Sequence, residues 1–151
     1  MAAPALPPAD AFRFSCEIEV RFRDLDAMGH VNNAAYLTYF EIARTGYMRE
    51  LGHAAEDERE LGVMFPFIVA EITCRYLAPA GLGERLRVLL RTVRIGSKSF
   101  EFDYLVVRAG DGQAVATGHS VQIYYDYRER RSLPVPQRFR ELIAKLENPV
   151  P

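Results

Sequence analysis

The sequence predicts an α+β fold in which an antiparallel sheet of about five strands wraps around one long central helix. Residues 34–51 are apolar around most of a helical circumference, and a helix of that kind is normally enclosed rather than laid on a surface. One segment before this stretch and four after it have the composition and periodicity of strands. A sheet curled around the helix would bury it on most sides.

The first structured segment, residues 12–23, alternates strictly between apolar and polar side chains. Such alternation is typical of a strand with one buried and one solvated face. Its apolar positions are Phe14, Cys16, Ile18, Val20 and Phe22. The sequence therefore predicts a strand that ends where the loop 24–33 begins.

The periodicity changes at residue 34, where the central helix is predicted to start. Thr38, Glu41, Thr45 and Arg49 form a narrow polar stripe along it, at spacings of three and four. Gly52 follows the last apolar residue and suits the position just past a helix end. Asn32 and Asn33, just before the helix, are typical capping residues.

Four strands are predicted after the helix, over residues 65–77, 84–95, 99–109 and 114–125. Tight turns are indicated at residues 95–98 and 108–112, and a short amphipathic helix at residues 137–147. Residues 53–62 are predicted to form a connecting loop or a short exposed helix. A five-stranded sheet with one main helix leaves an edge strand unpaired, so a dimer is the expected minimum assembly.

Length and composition favour one globular domain, placed at residues 12–147, behind a disordered tail at residues 1–11. The net charge of -1 gives no global field for nucleic acid. No stretch approaches the roughly 20 apolar residues that a membrane span requires. Cys16 and Cys74 are expected to be reduced core residues. These observations predict a cytoplasmic protein with no nucleic-acid or membrane partner.

The densest polar cluster, residues 23–33, lies between a strand end and the start of the buried helix. The first N–H groups of a helix have no partner within it and suit an oxyanion. Asp26 is close enough in sequence to reach the N–H near Asn33, which gives a carboxylate beside backbone donors. No metal is indicated, since His30 and the other histidines lack ligand-like spacing.

Structural roles compete with these functional ones. Asp24 is expected to cap a turn or pair with Arg21 or Arg23, and the same role stays open for Asp26. His30 is either a hydrogen-bonded loop residue or a participant in the chemistry. Glu41 is interpreted as a solvated or ion-paired member of the polar stripe that could also face a neighbouring subunit's site.

The motif residues resemble a known family. Residues 22–37, with Asp24-Leu25-Asp26-Ala27-Met28-Gly29 at their centre, and the Phe40-Glu41-Ile42-Ala43-Arg44 run look like the signature of hotdog-fold thioesterases. The most similar branch is that of the 4-hydroxybenzoyl-CoA thioesterase-like enzymes. The resemblance extends over residues 94–100 and 134–136, and spans about residues 14–140 in all.

The resemblance implies an acyl-CoA thioesterase in which Asp26 is the nucleophile or general base and the Asn33 N–H donates to the oxyanion. His30 is carried as a further catalytic candidate. The resemblance also implies a homodimer or homotetramer with sites at subunit interfaces. It implies no cofactor, because coenzyme A is part of the substrate. The chain differs from the 4-hydroxybenzoyl enzymes at His30, Asn32 and Asn33, which argues against that aromatic substrate.

Substrate-binding residues follow from the size and charge of an acyl-CoA. Lys98 and the cluster of Arg128, Arg130 and Arg131 are candidates for the phosphates of coenzyme A. The acyl group is expected to run along the apolar helix past Tyr36, Leu37 and Phe40. Solvated surface charge and ordinary core packing are the respective alternatives.

Two other functions remain open from the sequence. A hotdog dehydratase or hydratase would need a histidine paired with a carboxylate, for which His30 and Glu41 are available. A non-catalytic module that binds acyl thioesters would not need Asp26. The Asp-x-Asp element followed by a helix start favours hydrolysis over both.

Overall fold

The computed structural model describes residues 5–52 and 65–147. Its strands are β1 (Phe14–Glu19), β2 (Phe67–Tyr76), β3 (Arg85–Ile95), β4 (Ser99–Arg108), β5 (Ala114–Asp126) and β6 (Arg131–Ser132). Its helices are α1 (Ala35–Leu51) and α2 (Gln137–Glu147). The segment 53–62, predicted as a loop or short exposed helix, lies outside the described residues.

The main strands form one antiparallel sheet in the order β1-β3-β4-β5-β2, and β6 pairs with β5. The sheet curls around α1, which confirms the predicted α+β architecture. Within the described residues β2 pairs with β5 alone, so β2 is an edge strand. Its other edge keeps backbone groups available for pairing.

The chain before α1 departs from the predicted strand. The prediction was wrong beyond Glu19, because Phe22–Asp24 form a turn of 3-10 helix and Phe22 is 81% exposed. The cause is the Asp24 carboxylate, which accepts the Arg21 backbone N–H at 2.9 Å and bends the chain back on itself. Alternating hydrophobicity cannot show this local hydrogen bond.

Part of the tail predicted to be disordered has regular structure. Ala9–Ala11 form a turn of 3-10 helix. Ala11 and Phe12 then pack against Leu89 and Leu105 on the outer face of the sheet. Residues 5–11 therefore include a segment that lies along the sheet, while residues 1–4 are outside the described range.

One side of α1 fills the concave face of the sheet with aromatic side chains. Phe40 stacks on Tyr104 with ring centroids 4.3 Å apart, and Tyr47 meets Phe102 edge-on at 5.3 Å. The opposite side is not covered by the described part of the chain, since Ile42 is 41% exposed. The helix is therefore enclosed on one side and keeps an exposed strip on the other.

Both cysteines are free and lie half-buried against the core, Cys16 on β1 and Cys74 on β2. These strands are the two opposite edges of the sheet. Both thiols therefore lie at the margin of the core, and their reduced state stays a prediction.

Gly118 on β5 lies directly against the ring of Phe40 on α1. A Cβ at this position would lie 2.6 Å from Cζ of Phe40 and 3.0 Å from the Thr73 carbonyl oxygen. We expect Gly118→Ala to lower the free energy of unfolding by about 3 kcal/mol, because a stacked, fully buried ring cannot move aside. Urea unfolding followed by circular dichroism measures this, with Gly110→Ala as the control, since a Cβ there meets nothing within 4 Å.

Candidate active site

The loop before α1 is closed by a short bridge between Leu25 and Val31. Within it the Gly29 N–H donates to the Asp26 carbonyl oxygen at 3.0 Å, and the Asp26 N–H donates to the His30 carbonyl at 3.1 Å. Gly29 has φ +83°, a conformation that side chains disfavour. The Asp-x-x-Gly spacing therefore builds a tight turn that presents the side chain of Asp26 at a fixed place.

One oxygen of the Asp26 carboxylate is held by the turn itself. Oδ1 accepts the Met28 backbone N–H at 2.9 Å, which fixes the rotamer of the half-buried side chain. Over the described ranges, residues 5–52 and 65–147, Oδ2 has no hydrogen-bond partner. The structure thus presents an oriented carboxylate with one oxygen available.

Of the backbone N–H groups from Val31 to Ala35, all but one donate a hydrogen bond within the described residues. Those of Val31 and Asn32 donate to carbonyl oxygens of other segments at 2.9 and 2.8 Å. Those of Ala34 and Ala35 donate to the side chain and carbonyl oxygen of Asn32, at 2.8 and 3.0 Å. The Asn33 N–H has no acceptor in the part of the chain that the structure describes. Asn32 therefore accepts two of these N–H groups in a turn before the helix, whose N-cap residue is Ala34, and Asn33 supplies the donor without an acceptor.

Asp26, His30, Asn33 and Tyr36 line one open cleft of ≈ 360 Å³. Four of the residues singled out from the sequence are therefore brought together. Its other walls come from the loop and from the end of β2 with the residues after it: Met28, Val31, Tyr76, Leu77, Ala78 and Pro79. The cleft joins a carboxylate, an imidazole and a backbone donor to an apolar wall.

Tyr76 is a site residue that the sequence did not indicate. Its hydroxyl donates to the Asn33 carbonyl oxygen at 3.0 Å, and its ring meets that of Tyr36 edge-on at 5.5 Å. The two hydrogen-bond partners are 43 positions apart in the chain. No motif or periodicity connects residues at that separation, so only the folded sheet reveals the contact.

The acyl path expected along the helix needs a correction. Phe40 has no exposed surface and is stacked on Tyr104, so it lies inside the core rather than beside a channel. Leu37 is 38% exposed and lies on the open strip of α1. Of the three residues named for this path, Tyr36 alone lines the cleft with Asp26.

Asp24 has a structural role, as expected. It is buried and accepts hydrogen bonds from the Arg21 guanidinium and from the Tyr39 hydroxyl, the latter at 3.0 Å. Burial alone would raise the pKa of Asp24, but the hydrogen bonds from Arg21 and Tyr39 outweigh it and hold the pKa below its ordinary value. Asp24 thus anchors the loop to α1, whereas Asp26 lines the cleft.

Asp24 should make the fold sensitive to acid. Because its pKa is lowered on folding, its stabilisation is present above the unfolded-state pKa of about 3.9 and is lost as the pH falls through the folded-state value. We expect Asp24→Asn to lower the free energy of unfolding by about 1–3 kcal/mol at pH 7. The difference from wild type should shrink below about pH 4 in urea titrations across pH. A gap that stays constant down to acid pH would contradict this role.

The basic residues proposed for coenzyme A lie elsewhere in the chain. The Lys98 carbonyl oxygen accepts the Tyr124 N–H, and Tyr124 pairs with Phe67 at the start of β2. Arg128 follows in the turn between β5 and β6, Arg131 begins β6, and all three side chains are exposed. Tyr76 is the other end of β2 and lines the cleft, and a strand of 10 residues is about 30 Å long at the usual rise per residue. A single chain does not bring these basic residues to Asp26.

The histidine–carboxylate pair of a dehydratase is not formed within the described chain. His30 Nδ1 lies 3.4 Å from the Val31 carbonyl oxygen, and Glu41 is exposed on α1. The histidine that does contact carboxylates is His119, between Asp103 at 2.8 Å and Glu101 at 3.1 Å. That cluster lies on the outer face of the sheet, away from the cleft.

Among the residues described, no group of three or more His, Cys, Asp or Glu side chains could hold a metal ion. Neither helix in those ranges is long and apolar enough to cross a membrane.

Comparison with known proteins defines the class to which this fold and cleft belong. Residues 20–143 match the sequence model of the thioesterase-like superfamily. A crystal structure of a thioesterase from Thermus thermophilus, complexed with coenzyme A and Zn, superposes with a TM-score of 0.78 at 37% identity, covering 91% of this chain and 96% of that one. The domain is a hotdog fold, and the chain belongs to the thioesterase-like superfamily.

The names of two curated relatives specify different substrates. The long-chain acyl-CoA thioesterase FadM of Escherichia coli (strain K12) is 26% identical over 130 residues, which cover 86% of this chain and 96% of that protein. The 1,4-dihydroxy-2-naphthoyl-CoA hydrolase of Synechococcus elongatus is 29% identical over 126 residues, covering 81% and 88%. Aliphatic and aromatic acyl groups are thus both represented among the relatives.

Proposed function

We propose that this protein is an acyl-CoA thioesterase that hydrolyses its substrate to a free acid and coenzyme A. One observation carries the proposal. The Asn33 N–H, which is unused within the described residues, shares a cleft with a carboxylate that has one oxygen held and one available. An oriented donor and an oriented carboxylate are the two groups that acyl transfer to water requires.

In the proposed reaction the thioester carbonyl oxygen accepts the Asn33 N–H, and the negative charge that develops there is stabilised by the helix start. Asp26 Oδ2 either removes a proton from a water that attacks the carbonyl carbon, or attacks that carbon itself to give an acyl–Asp26 anhydride that water then hydrolyses. The carbon–sulfur bond breaks, coenzyme A leaves as the thiolate, and water supplies the oxygen of the free acid. His30 is the imidazole in the cleft that can return a proton to the thiolate. No cofactor takes part.

A second copy of the chain would complete the site. Antiparallel pairing of β2 with the β2 of another copy around a two-fold axis would cover the free edge. In such a pair the start of one β2 lies beside the end of the other, so Lys98, Arg128 and Arg131 of the second copy approach the cleft. We propose that they bind the phosphates of coenzyme A in a homodimer, alone or within a tetramer.

The acyl group is proposed to lie against Tyr36 and the apolar cleft wall, and then over the exposed strip of α1 at Leu37 and Ile42. We do not propose an acyl path through the core, because the neighbouring helix residues Tyr39 and Phe40 are fully buried there. Two free cysteines fit a reducing compartment, so we place the protein in the cytoplasm.

Thiol release from a panel of short, medium, long and aromatic acyl-CoAs tests the function. Each acyl group is also presented on an acyl carrier protein, to separate the two kinds of thioester. We expect turnover of at least one acyl-CoA, with coenzyme A and the free acid formed in equal amounts. Absence of turnover on every thioester, with tight acyl-CoA binding retained, would support a non-catalytic binding module instead.

A further inference from the structure

We propose that Tyr76 is a positioning residue that holds the Asn33 N–H in the direction needed by the oxyanion. This inference rests on the proposed function and adds a residue of the edge strand to its machinery. Tyr76 does not touch the reacting atoms. It acts through the peptide that follows Asn33.

That peptide is held at both of its polar ends. The Tyr76 hydroxyl donates to the Asn33 carbonyl oxygen at 3.0 Å, and the Ala34 N–H donates to Oδ1 of Asn32 at 2.8 Å. On the other side of Asn33, the Asn32 N–H is fixed to the Asp24 carbonyl oxygen at 2.8 Å. The unused N–H therefore lies between two anchored peptide groups, and it cannot rotate far unless one of these bonds breaks.

The surroundings of Tyr76 suit this role. It is the last residue of β2, and although 48% of its surface is exposed, its ring meets Tyr36 in the cleft wall. Partial burial, followed by its interaction with Cys74, raises the pKa of Tyr76, so the hydroxyl stays protonated and donating at neutral pH. The peptide that carries the Asn33 N–H is held at its carbonyl oxygen by the Ala35 N–H, and the Tyr76 bond fixes the peptide that follows it. Loss of alignment at this N–H is costly in catalysis.

The test is Tyr76→Phe, which removes the hydroxyl and keeps the ring. On the best acyl-CoA we expect kcat to fall about tenfold, less than the 10²–10³-fold typical of deleting an oxyanion donor, because the N–H is still present. KM should stay within about twofold, since the cleft wall is unchanged. A side chain that merely shapes the pocket would change KM instead.

The matched control is Tyr127→Phe. The Tyr127 hydroxyl donates to the Phe67 carbonyl oxygen at 2.7 Å at the other end of β2, and Tyr127 is 44% exposed. Both variants lose one tyrosine–carbonyl hydrogen bond at an end of the same strand, at similar exposure. We expect similar small losses in Tm, with kcat lowered in Tyr76→Phe alone. Equal kcat values in the two variants would overturn the inference.

A double-mutant cycle with Asn32→Ala separates positioning from general destabilisation. Tyr76 and Asn32 hold the same peptide. The fold-loss of kcat in the double variant should therefore be clearly smaller than the product of the fold-losses in the two single variants. Fully multiplicative effects would contradict a shared role. If wild type is active, Asp26 is essential and Tyr76→Phe keeps full kcat, this inference alone fails. If wild type cleaves no thioester, the proposed function and the role of Tyr76 both fall.

Discussion

Replacement of Asp26 by asparagine is expected to lower kcat for acyl-CoA hydrolysis by at least about 100-fold. Asparagine is nearly isosteric, and its Oδ1 can still accept the Met28 N–H, so the turn should persist. What is lost is the negative charge on the available oxygen, whether it attacks the carbonyl or activates water. Steady-state thiol release at saturating substrate, with Tm measured in parallel, checks both halves of the expectation.

Asp24→Asn is the control that makes this result specific. The two aspartates are neighbours in one motif, but Asp24 is buried against Arg21 and Tyr39, whereas Asp26 lies in the cleft. We expect Asp24→Asn to lower Tm clearly and kcat only slightly. We expect Asp26→Asn to lower kcat strongly while Tm stays nearly unchanged. Full activity in Asp26→Asn would refute the mechanism, as would the reverse pattern in the two variants.

The double substitution Arg128→Glu with Arg131→Glu is expected to raise KM for acyl-CoA by at least about 100-fold, because each of the two charge-assisted phosphate contacts contributes about 1.5–3 kcal/mol. Within one chain the basic residues and Asp26 lie near opposite ends of β2. An effect on KM with kcat unchanged would therefore already favour a site shared between subunits. Initial rates at increasing acyl-CoA concentration measure it.

Mixing variants tests whether the site spans two copies. Dimers of Asp26→Asn have no working carboxylate, and dimers of the double arginine variant bind substrate poorly. If each site takes Asp26 from one copy and the arginines from the other, a mixed dimer has one intact site. Re-equilibrated mixtures should then recover about a quarter of wild-type activity at low substrate. No recovery, despite subunit exchange confirmed by native mass spectrometry, would place both groups in the same chain.

The elements with strong local signals could be predicted from the sequence. Helix α1 is apolar over a long stretch and ends at Gly52, which has φ +68° as its position predicts. The strands after it are segments rich in apolar residues, and those of β3, β4 and β5 are separated by turns with clear composition signals. The chain before it was harder, because a single carboxylate, that of Asp24, ends the strand by capping a turn. Local hydrogen bonds of this kind compete with periodicity and leave no repeating pattern.

The same reasoning explains which parts of the site could be found. Asp26, His30, Asn33 and Tyr36 lie within one short stretch, so a loop that closes before a helix brings them together without any knowledge of the sheet. Tyr76 reaches them only because β2 ends beside the helix start. In the proposed dimer, the basic residues reach the cleft of a second copy. The sequence of one chain does not specify the register in which the two β2 strands would pair.

In the proposed reaction, Asn33 and Asp26 act on the two sides of one thioester carbonyl. A crystal structure with a non-hydrolysable acyl-CoA analogue, in which a methylene replaces the sulfur, tests it most directly. We predict the analogue's carbonyl oxygen about 2.9 Å from the Asn33 nitrogen, with Asp26 Oδ2 facing the carbonyl carbon. A bound analogue whose carbonyl lies outside this cleft, with Asn33 and Asp26 untouched, would contradict the account.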